Sequence, residues 1–354
     1  MASRLQVNVG GVPVGGGAAV VVQSMTNTRT DDVEATLSQI RALATAGAAL
    51  VRVAVPDRAA AGAVAALVAE SPVPLIADVH FDHSLAVAAI GAGAAGVRIN
   101  PGNIGSEREV REVVDAAREL GAVIRVGVNS GSLQRDLRVR EETDPAGALV
   151  ESAVRYCTLL EGMGFTDIKV SAKSSSPLVT IAANRLLADR IPYALHLGVT
   201  EAGTRWAGSI RSAVALGVLL AEGIGDTIRV SLTGDPVEEV RVALEILRTL
   251  DLAPRGARVI ACPTCGRTRI DLEPLALEVE RRLEELGLDL EVAVMGCVVN
   301  GPGEARKADF GIAGGDGEGV VFAQGRPVRK VAQAGLVDAL FAEIASRKGT
   351  PPSR

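Results

Sequence analysis

The chain has 354 residues, of which 48% are hydrophobic and only 2% aromatic, and its formal net charge is −5. It lacks basic tracts interleaved with aromatic residues, which argues against nucleic acid as a partner. The start has no apolar signal core, and the most apolar helical stretch, SAVALGVLLA, is too short to cross a membrane. We therefore expect no membrane partner, and the four cysteines, few and unevenly placed, predict a reducing, cytoplasmic protein.

Eight short β-branched runs recur before residue 250, and each is followed by a helix-length segment rich in Ala, Leu, Glu and Arg. The runs cover residues 20–25, 50–55, 74–80, 95–100, 123–129, 167–173, 192–199 and 227–232. Eight strand–helix units predict an α/β fold, a (β/α)8 TIM barrel, over residues 1–253. The preceding stretch LQVNVGGVPVGGG predicts a hairpin.

The pattern changes after a short connection at 251–257. A strand, ARVIA, leads into a CxxC motif, and a helix, a second strand and a GPGE turn follow. Two strands bounded by glycines and a terminal helix complete the chain. This order predicts a small α+β domain over residues 254–354.

Three cysteines of this second domain have the spacing of metal ligands. Cys262 and Cys265 lie in ACPTCGRT and Cys297 in MGCVVNGPGE, while all three histidines of the chain lie far upstream. An oxygen ligand must then complete the set, and Glu304 is the nearest candidate. An iron–sulfur cluster with one exchangeable ligand is our preferred interpretation, but zinc and a redox thiol pair remain open on spacing alone. Cys157 is expected to be a buried small hydrophobic residue.

Polar residues keep one parity along the predicted barrel strands, near their C-terminal ends. Side chains at i and i+2 of a strand share a face, and barrel enzymes place their active sites at this end. The pairs are Asp78 with His80, Arg98 with Asn100, Arg125 with Asn129, Lys169 with Lys173, and Arg229 with Ser231, and Arg52 occupies a similar position.

So many cations at one mouth predict an anionic ligand, because they would otherwise repel one another. Arginine forks suit phosphate oxygens, so we infer a substrate with two or more negative charges, such as a diphosphate. The alternative is that Asp78 and Glu201 neutralise the cations internally. Glu201 is predicted equally well as a proton donor or as a salt-bridge partner at the rim.

Eight segments together resemble a known family over almost the entire chain, in order. They are VVQSMTNTRT, ADVHFD, VRINPGNIG, IRVGVNSGSL, KVSAK, LGVTEAG, ACPTCGRT and MGCVVNGPGEA. They resemble the 4-hydroxy-3-methylbut-2-enyl diphosphate synthases of the methylerythritol phosphate pathway of isoprenoid biosynthesis, in the compact bacterial form.

The resemblance implies an oxidoreductase. Such enzymes reductively open 2-C-methyl-D-erythritol 2,4-cyclodiphosphate, remove an oxygen as water and yield (E)-4-hydroxy-3-methylbut-2-enyl diphosphate. A [4Fe–4S] cluster delivers the two electrons, and by resemblance its ligands here are Cys262, Cys265, Cys297 and Glu304. Glu304 is expected to shift so that the substrate oxygen reaches the unique iron.

The resemblance also implies roles for the residues at the barrel mouth. Glu201 would deliver a proton and His80 would contact the substrate. The family forms homodimers in which the cluster domain of one subunit closes over the barrel of the other, with ferredoxin or flavodoxin as the electron donor. The residues expected to hold the diphosphate are Arg52, Arg98, Arg125, Asn129, Lys173, Arg229 and Ser231.

Two other functions compete with this one. The first is a phosphate-binding barrel of pterin-synthase type fused to a structural zinc module. The second is a non-catalytic redox or iron sensor, which would leave the arginine-lined mouth without a purpose.

Overall fold

The structure is a computed structural model that describes residues 3–100, 104–131, 133–254, 256–297 and 307–348. The chain divides into two units, Met1–Ala253 and Pro254–Arg354. Across the described residues, no helix combines the length and the apolar character needed to span a membrane.

The first unit is a closed barrel of eight parallel strands, as predicted. Its strands are β3 (Val21–Met25), β4 (Leu50–Ala54), β5 (Leu75–Asp78), β6 (Gly96–Ile99), β7 (Val123–Asn129), β8 (Ile168–Lys173), β9 (Ala194–Leu197) and β10 (Thr227–Ile228). They pair in the order β10-β3-β4-β5-β6-β7-β8-β9. The buried β-branched runs of the sequence therefore become neighbouring barrel strands.

Helices connect the strands and form the outer layer. They are α1 (Val33–Thr45), α2 (Arg58–Glu70), α3 (His83–Gly91), α4 (Glu107–Leu120), α5 (Arg138–Thr143), α6 (Pro145–Gly162), α7 (Pro177–Arg190), α8 (Arg205–Ala221) and α9 (Pro236–Thr249). Asp32, Asp57 and Asp144 begin three of these helices by accepting hydrogen bonds from backbone N–H groups of the first turn. Asp32 and Asp57 end the loops that follow β3 and β4, so these two caps lie at the C-terminal mouth of the barrel, whereas Asp144 directly follows α5.

A hairpin closes the opposite end of the barrel. It consists of β1 (Gln6–Val9) and β2 (Val12–Gly15), which pair antiparallel. Its buried valines, Val7, Val9 and Val14, pack in one cluster with residues at the starts of the barrel strands, including Leu50 and Ile76. The N-terminal end is thus filled by apolar side chains, which leaves the C-terminal mouth for polar ones.

The second unit contains a five-stranded sheet. Its strands, in sheet order, are β11 (Arg258–Ala261), β12 (Glu291–Met295), β13 (Phe310–Gly314), β14 (Glu318–Ala323) and β15 (Arg326–Ala332). The first three are parallel and the last two antiparallel. Helices α10 (Leu272–Leu286) and α11 (Leu336–Lys348) share one apolar cluster with this sheet.

Strand β15 was not predicted from the sequence. Nearly all of its residues are exposed, and its sequence, RPVRKVA, contains a proline and three cations. Charged residues and proline are typical of edge strands, where they prevent pairing with other chains. The sequence of β15 has no run of buried β-branched residues, which is the signal that predicted the other strands.

Candidate active site

A group of cationic side chains lies buried inside the barrel. Arg98 on β6 is registered beside Arg125 on β7, and Arg125 is registered beside Lys169 on β8. Arg52 on β4 and Lys173 at the end of β8 are buried as well. Because burial removes like charges from water, this arrangement costs folding free energy unless negative charge lies nearby.

Asp78, at the end of β5, is the negative centre on one side of this group. Its Oδ2 lies 3.7 Å from Arg52 Nη1 and 3.5 Å from His80 Nε2, and its Oδ1 lies 3.3 Å from Arg98 Nη1. His80 Nε2 is also 2.7 Å from Arg98 Nη1. Burial alone would raise the pKa of Asp78, but the charge of Arg52, the hydrogen bond with His80 and the charge of Arg98 lower it further than burial raises it. The carboxylate is therefore ionised and holds two arginines in place.

Two glycines make room for the cations. A Cβ at Gly127 would lie 2.3 Å from Arg98 Nε, and a Cβ at Gly198 would lie 2.7 Å from Lys173 Nζ. The Gly127 carbonyl accepts a hydrogen bond from Arg98 Nη2 at 3.2 Å. When the Asn129 amide is oriented so that its nitrogen donates to a carbonyl, its oxygen accepts from the same Nη2 at 3.2 Å. The alternation along β7 places Gly127 on the same face as Arg125 and Asn129, but the sequence predicted no role for either glycine.

The cations of β7 and β8 have less compensation than Arg52 and Arg98. Among the described residues, Arg125 Nε and Nη1 and Lys169 Nζ have no hydrogen-bond partner. Burial, and then the charge of Arg125, lowers the pKa of Lys169 to about 7. Burial and the neighbouring arginines hold the pKa of Lys173 well below its usual value. No carboxylate in the described ranges forms an ion pair with Arg125, Lys169 or Lys173, and the charge of Asp226, which raises the pKa of Lys169, outweighs neither burial nor Arg125 there.

Arg229 and Ser231 lie beyond the last barrel strand rather than within it. The sequence predicted a strand over 227–232, but β10 ends at Ile228. Glu239 on α9, which is 4% exposed, lies 3.3 Å from Arg229 Nη2 through its Oε2. The sequence analysis did not identify Glu239, because an acid in the first turns of a helix is also explained by the helix dipole.

Glu201 does not take part in neutralising the cations. It is exposed, and no ion pair joins it to any residue that the structure describes. The alternative in which Asp78 and Glu201 neutralise the cations therefore has no support for Glu201 among the described residues, where Glu239 is the second carboxylate that pairs with an arginine of the mouth. The backbone of Glu201 has φ +51°, a conformation that non-glycine residues rarely adopt outside turns and functional sites.

Two of the three cysteines in the second unit follow neighbouring parallel strands. Cys262 follows β11 and Cys297 follows β12. The Gly296 N–H donates to Cys262 Sγ at 3.2 Å. Backbone N–H donors to cysteine sulfur stabilise the thiolate form, which is the form that binds metal.

The third cysteine, Cys265, lies in an exposed loop fastened to the same region. Its N–H donates to Thr268 Oγ1 at 3.1 Å, and the Arg269 N–H donates to the Gly296 carbonyl at 3.0 Å. Hydrogen bonds from the backbone and side chain of Arg267 lower the pKa of the Cys265 thiol. The loop that carries Cys265 is thus tied by its backbone to Gly296, the residue before Cys297.

The donor types in this region fit a thiolate-bound metal group. All four cysteines are free, and Cys157 is buried as expected, with its pKa raised to about 12 by burial and then by the charge of Glu161. No three His, Cys, Asp or Glu side chains gather as metal ligands within the described ranges. Glu304, the predicted fourth ligand, lies outside the described residues.

Fold and site together define an anion-binding TIM-barrel protein with a second, thiol-bearing α+β domain. Family models match both parts: the GcpE TIM-barrel domain over residues 4–244 and the GcpE protein C-terminal domain over residues 258–346. The chain belongs to this family, whose curated relatives are named 4-hydroxy-3-methylbut-2-en-1-yl diphosphate synthase (flavodoxin). The relative from Geobacter sulfurreducens is 57% identical over 97% of both chains, and that from Clostridium acetobutylicum is 53% identical over 96% of this chain and 97% of its own.

Two solved structures are similar to about 70% of the chain, at identities that show a shared fold alone. A dihydropteroate synthase from Xanthomonas albilineans matches with a TM-score of 0.50 and 16% identity, and covers 70% of this chain and 99% of its own. A sialic acid synthetase from Leptospira borgpetersenii matches with a TM-score of 0.50 and 13% identity, and covers 71% of this chain and 90% of its own. The pterin-synthase alternative is not favoured, because the family match extends over the second domain as well.

We expect Gly127→Ala to weaken anion binding. The new Cβ would occupy the space of Arg98 Nε, so the guanidinium must move. We expect a displaced guanidinium to reduce the affinity for the anion by about tenfold. Isothermal titration with inorganic pyrophosphate measures the effect. Gly62→Ala on α2, where a Cβ meets no atom within 4 Å, is the matched control. Unchanged affinity in Gly127→Ala would contradict the tight fit.

We expect Lys169→Met to change how stability depends on pH. Between pH 7 and the ordinary lysine pKa of 10.5, the unfolded chain binds a proton that folded Lys169 has lost, so this residue makes stability rise with pH. Below pH 7 both states are protonated and the burial penalty is complete. The free energy of unfolding of the variant should therefore exceed that of the wild type most below pH 7, and the difference should shrink toward pH 10.5.

Urea unfolding across this pH range measures the slope for Lys169→Met and for Lys307→Met, which changes an exposed lysine. The control should keep the wild-type slope. If the free energy of unfolding of Lys169→Met depends on pH as it does in the wild type, then burial does not lower the pKa of Lys169.

Proposed function

We propose that this chain catalyses the reductive ring opening of 2-C-methyl-D-erythritol 2,4-cyclodiphosphate to (E)-4-hydroxy-3-methylbut-2-enyl diphosphate. The reaction takes up two electrons and one proton, and releases one oxygen as water. The observation that carries the proposal is the group of buried cations at the mouth, which outnumber the carboxylates that pair with them. The 57% identical relative from Geobacter sulfurreducens, named 4-hydroxy-3-methylbut-2-en-1-yl diphosphate synthase (flavodoxin), supports it. Residues 1–253 are the substrate-binding domain and residues 254–354 the cluster domain.

The diphosphate is the counter-charge that the mouth lacks. Arg52 and Arg98 are oriented by Asp78, and Arg229 is oriented by Glu239, so their forks are already positioned for phosphate oxygens. Arg125 and Lys173 supply positive charge that no described carboxylate contacts. Asn129 and Ser231 add polar groups at the same mouth, and His80 lies beside Arg98.

Glu201 is proposed as the proton donor. It is exposed and follows β9, on a backbone with φ +51°. Glu201 forms an ion pair with no residue that the structure describes, so its carboxyl group is available to the carbon skeleton of the substrate, whereas Asp78 and Glu239 are committed to arginines. In this proposal Glu201 reacts with the substrate, while Asp78 and Glu239 hold arginines in place.

The cluster ligands are proposed to be Cys262, Cys265, Cys297 and Glu304. The free thiols at the ends of β11 and β12, with N–H donors at Cys262, support thiolate ligation. When bound, a [4Fe–4S] cluster supplies single electrons and an iron atom with an exchangeable ligand.

The proposed partners follow the family. A flavodoxin is named in the curated relatives, and ferredoxin is the alternative electron donor. We propose a cytoplasmic location, since free thiols suit a reducing compartment. We also propose a homodimer in which the cluster domain of one subunit serves the barrel of the other. An exposed apolar stripe on α8, formed by Trp206, Ile210 and Val214, is a surface suited to a second copy.

Two substitutions should separate the cluster from the anion site. Cys297→Ser should lose iron and acid-labile sulfide after anaerobic reconstitution, while pyrophosphate affinity stays at the wild-type value. Arg98→Ala should keep the cluster and bind pyrophosphate at least about tenfold more weakly, because a buried charged partner is lost. Activity with the cyclic diphosphate and a chemical reductant should fall in both variants.

Cys157→Ala is the control, since Cys157 is buried within α6 and should affect neither property. Stoichiometric zinc without sulfide in the wild type would contradict the cluster. A wild type that binds no cyclic diphosphate would contradict the proposed substrate.

Trp206→Glu tests the homodimer. Trp206 is 80% exposed, and a charge at this position should disrupt an apolar contact between copies. Light scattering after gel filtration should show a dimer for the wild type and a shift toward monomer for the variant. Val328→Glu, on the exposed edge strand β15, is the control. A monomeric wild type would refute the homodimer.

A further inference from the structure

The segment that carries Arg229 and Ser231 has little strand pairing. Strand β10 has two residues, and the last barrel-type hydrogen bond beyond it runs from the Arg229 N–H to the Leu197 carbonyl at 3.0 Å. Backbone pairing resumes only at Thr233, whose N–H donates to the Gly203 carbonyl. A side chain must therefore hold the backbone in between.

Glu239 supplies that contact from the neighbouring helix. Its Oε1 accepts a hydrogen bond from the Leu232 N–H at 2.9 Å. Its Oε2 accepts from Arg229 Nε at 3.3 Å and lies 3.3 Å from Arg229 Nη2. One carboxylate thus binds the backbone of the segment and one edge of the guanidinium that the segment carries.

The electrostatics make this contact necessary. Burial and the charge of Arg52 lower the pKa of Arg229, whereas the charge of Glu239 raises it. Without Glu239, the guanidinium would be repelled by the other cations and could turn toward solvent. With Glu239, one edge is occupied and Nη1, which bonds to no described residue, remains for a ligand.

We propose that Glu239 is a positioning residue that holds Arg229 ready for a phosphate group of the substrate, an inference that rests on the function proposed above. It acts through Arg229 and does not itself touch the ligand, because a carboxylate facing a diphosphate would repel it. The helix start of α9 makes this possible: Asp235 caps the helix through the Val237 N–H, and Glu239 follows one turn later with 4% exposure.

The neighbouring residue Glu238 provides a matched control. It belongs to the same turn of α9, but its carboxylate pairs with Arg205 at 2.7 Å and with Arg241 at 2.8 Å. Both acids lie in the first turn of α9, so a general effect of negative charge at the helix start would appear in both variants.

The test is a double-mutant cycle on the full-length reconstituted protein. Glu239→Gln keeps the shape and the acceptor for the Leu232 N–H but removes the charge that holds Arg229. Dissociation constants for the cyclic diphosphate and for inorganic pyrophosphate are measured by isothermal titration, beside thermal midpoints. We expect about tenfold weaker binding of both anions in Glu239→Gln, wild-type affinity in Glu238→Gln, and no further loss when Glu239→Gln is added to Arg229→Met.

Glu239→Asp keeps the charge with a shorter reach and should show an intermediate loss, which preserves the test if Glu239→Gln folds poorly. Wild-type affinity in both Glu239 variants would overturn the proposal. So would a loss of equal size in the wild-type and Arg229→Met backgrounds, because Glu239 would then act through general stability.

The two ligands separate this proposal from the proposed function. If pyrophosphate binding shows the expected coupling while the cyclic diphosphate does not bind, the substrate is wrong and the role of Glu239 stands. If the cyclic diphosphate binds without any coupling between Glu239 and Arg229, the substrate stands and the positioning role is overturned.

Discussion

The barrel depends on holding several like charges together out of water. Arg98, Arg125 and Lys169 are adjacent in register on three neighbouring strands, and all three are at most 3% exposed. Isolated buried charges of one sign are among the most costly features that a fold can contain. Repulsion between these cations therefore lowers the stability of the fold and at the same time favours the binding of an anion.

The surrounding fold reduces this cost without removing it. The hairpin of Val7, Val9 and Val14 fills the opposite end with apolar side chains, so the polar interior is confined to the C-terminal mouth. Asp78 and Glu239 compensate part of the positive charge, and Gly127 and Gly198 give space to the side chains that remain. Packing and two carboxylates hold part of the group, and Arg125 Nε, Arg125 Nη1 and Lys169 Nζ have no hydrogen-bond partner among the described residues.

Much of this organisation could be predicted from the sequence, because the signals were local. Each β-branched run became a barrel strand, since buried parallel strands require such residues whatever the rest of the chain does. The inward parity of Arg98, Arg125 and Lys169 followed from the period of a strand.

What could not be predicted depends on contacts between distant segments. The run at 227–232 has the composition of a strand, but β10 ends at Ile228, and beyond Arg229 the Leu232 N–H donates to a helix side chain, Glu239, instead of to a neighbouring strand. Glu201 and Glu239 look alike as acids near barrel loops, and only the fold shows which of them meets an arginine. Strand β15 has the composition of a surface loop, and its pairing with β14 decides its conformation.

The positions of the two carboxylates make the positive charge of the mouth uneven. Asp78 lies on β5 and contacts arginines of β4 and β6, while Glu239 contacts Arg229 after β10. The barrel order places β7 and β8 outside both groups, so Arg125 and Lys173 are where positive charge is least compensated. A bound dianion lowers the repulsion most at this side, and it favours the protonated form of the lysines whose pKa burial has lowered. Because a ligand that binds only the folded state adds its binding free energy to stability, anion binding and folding are coupled through these side chains.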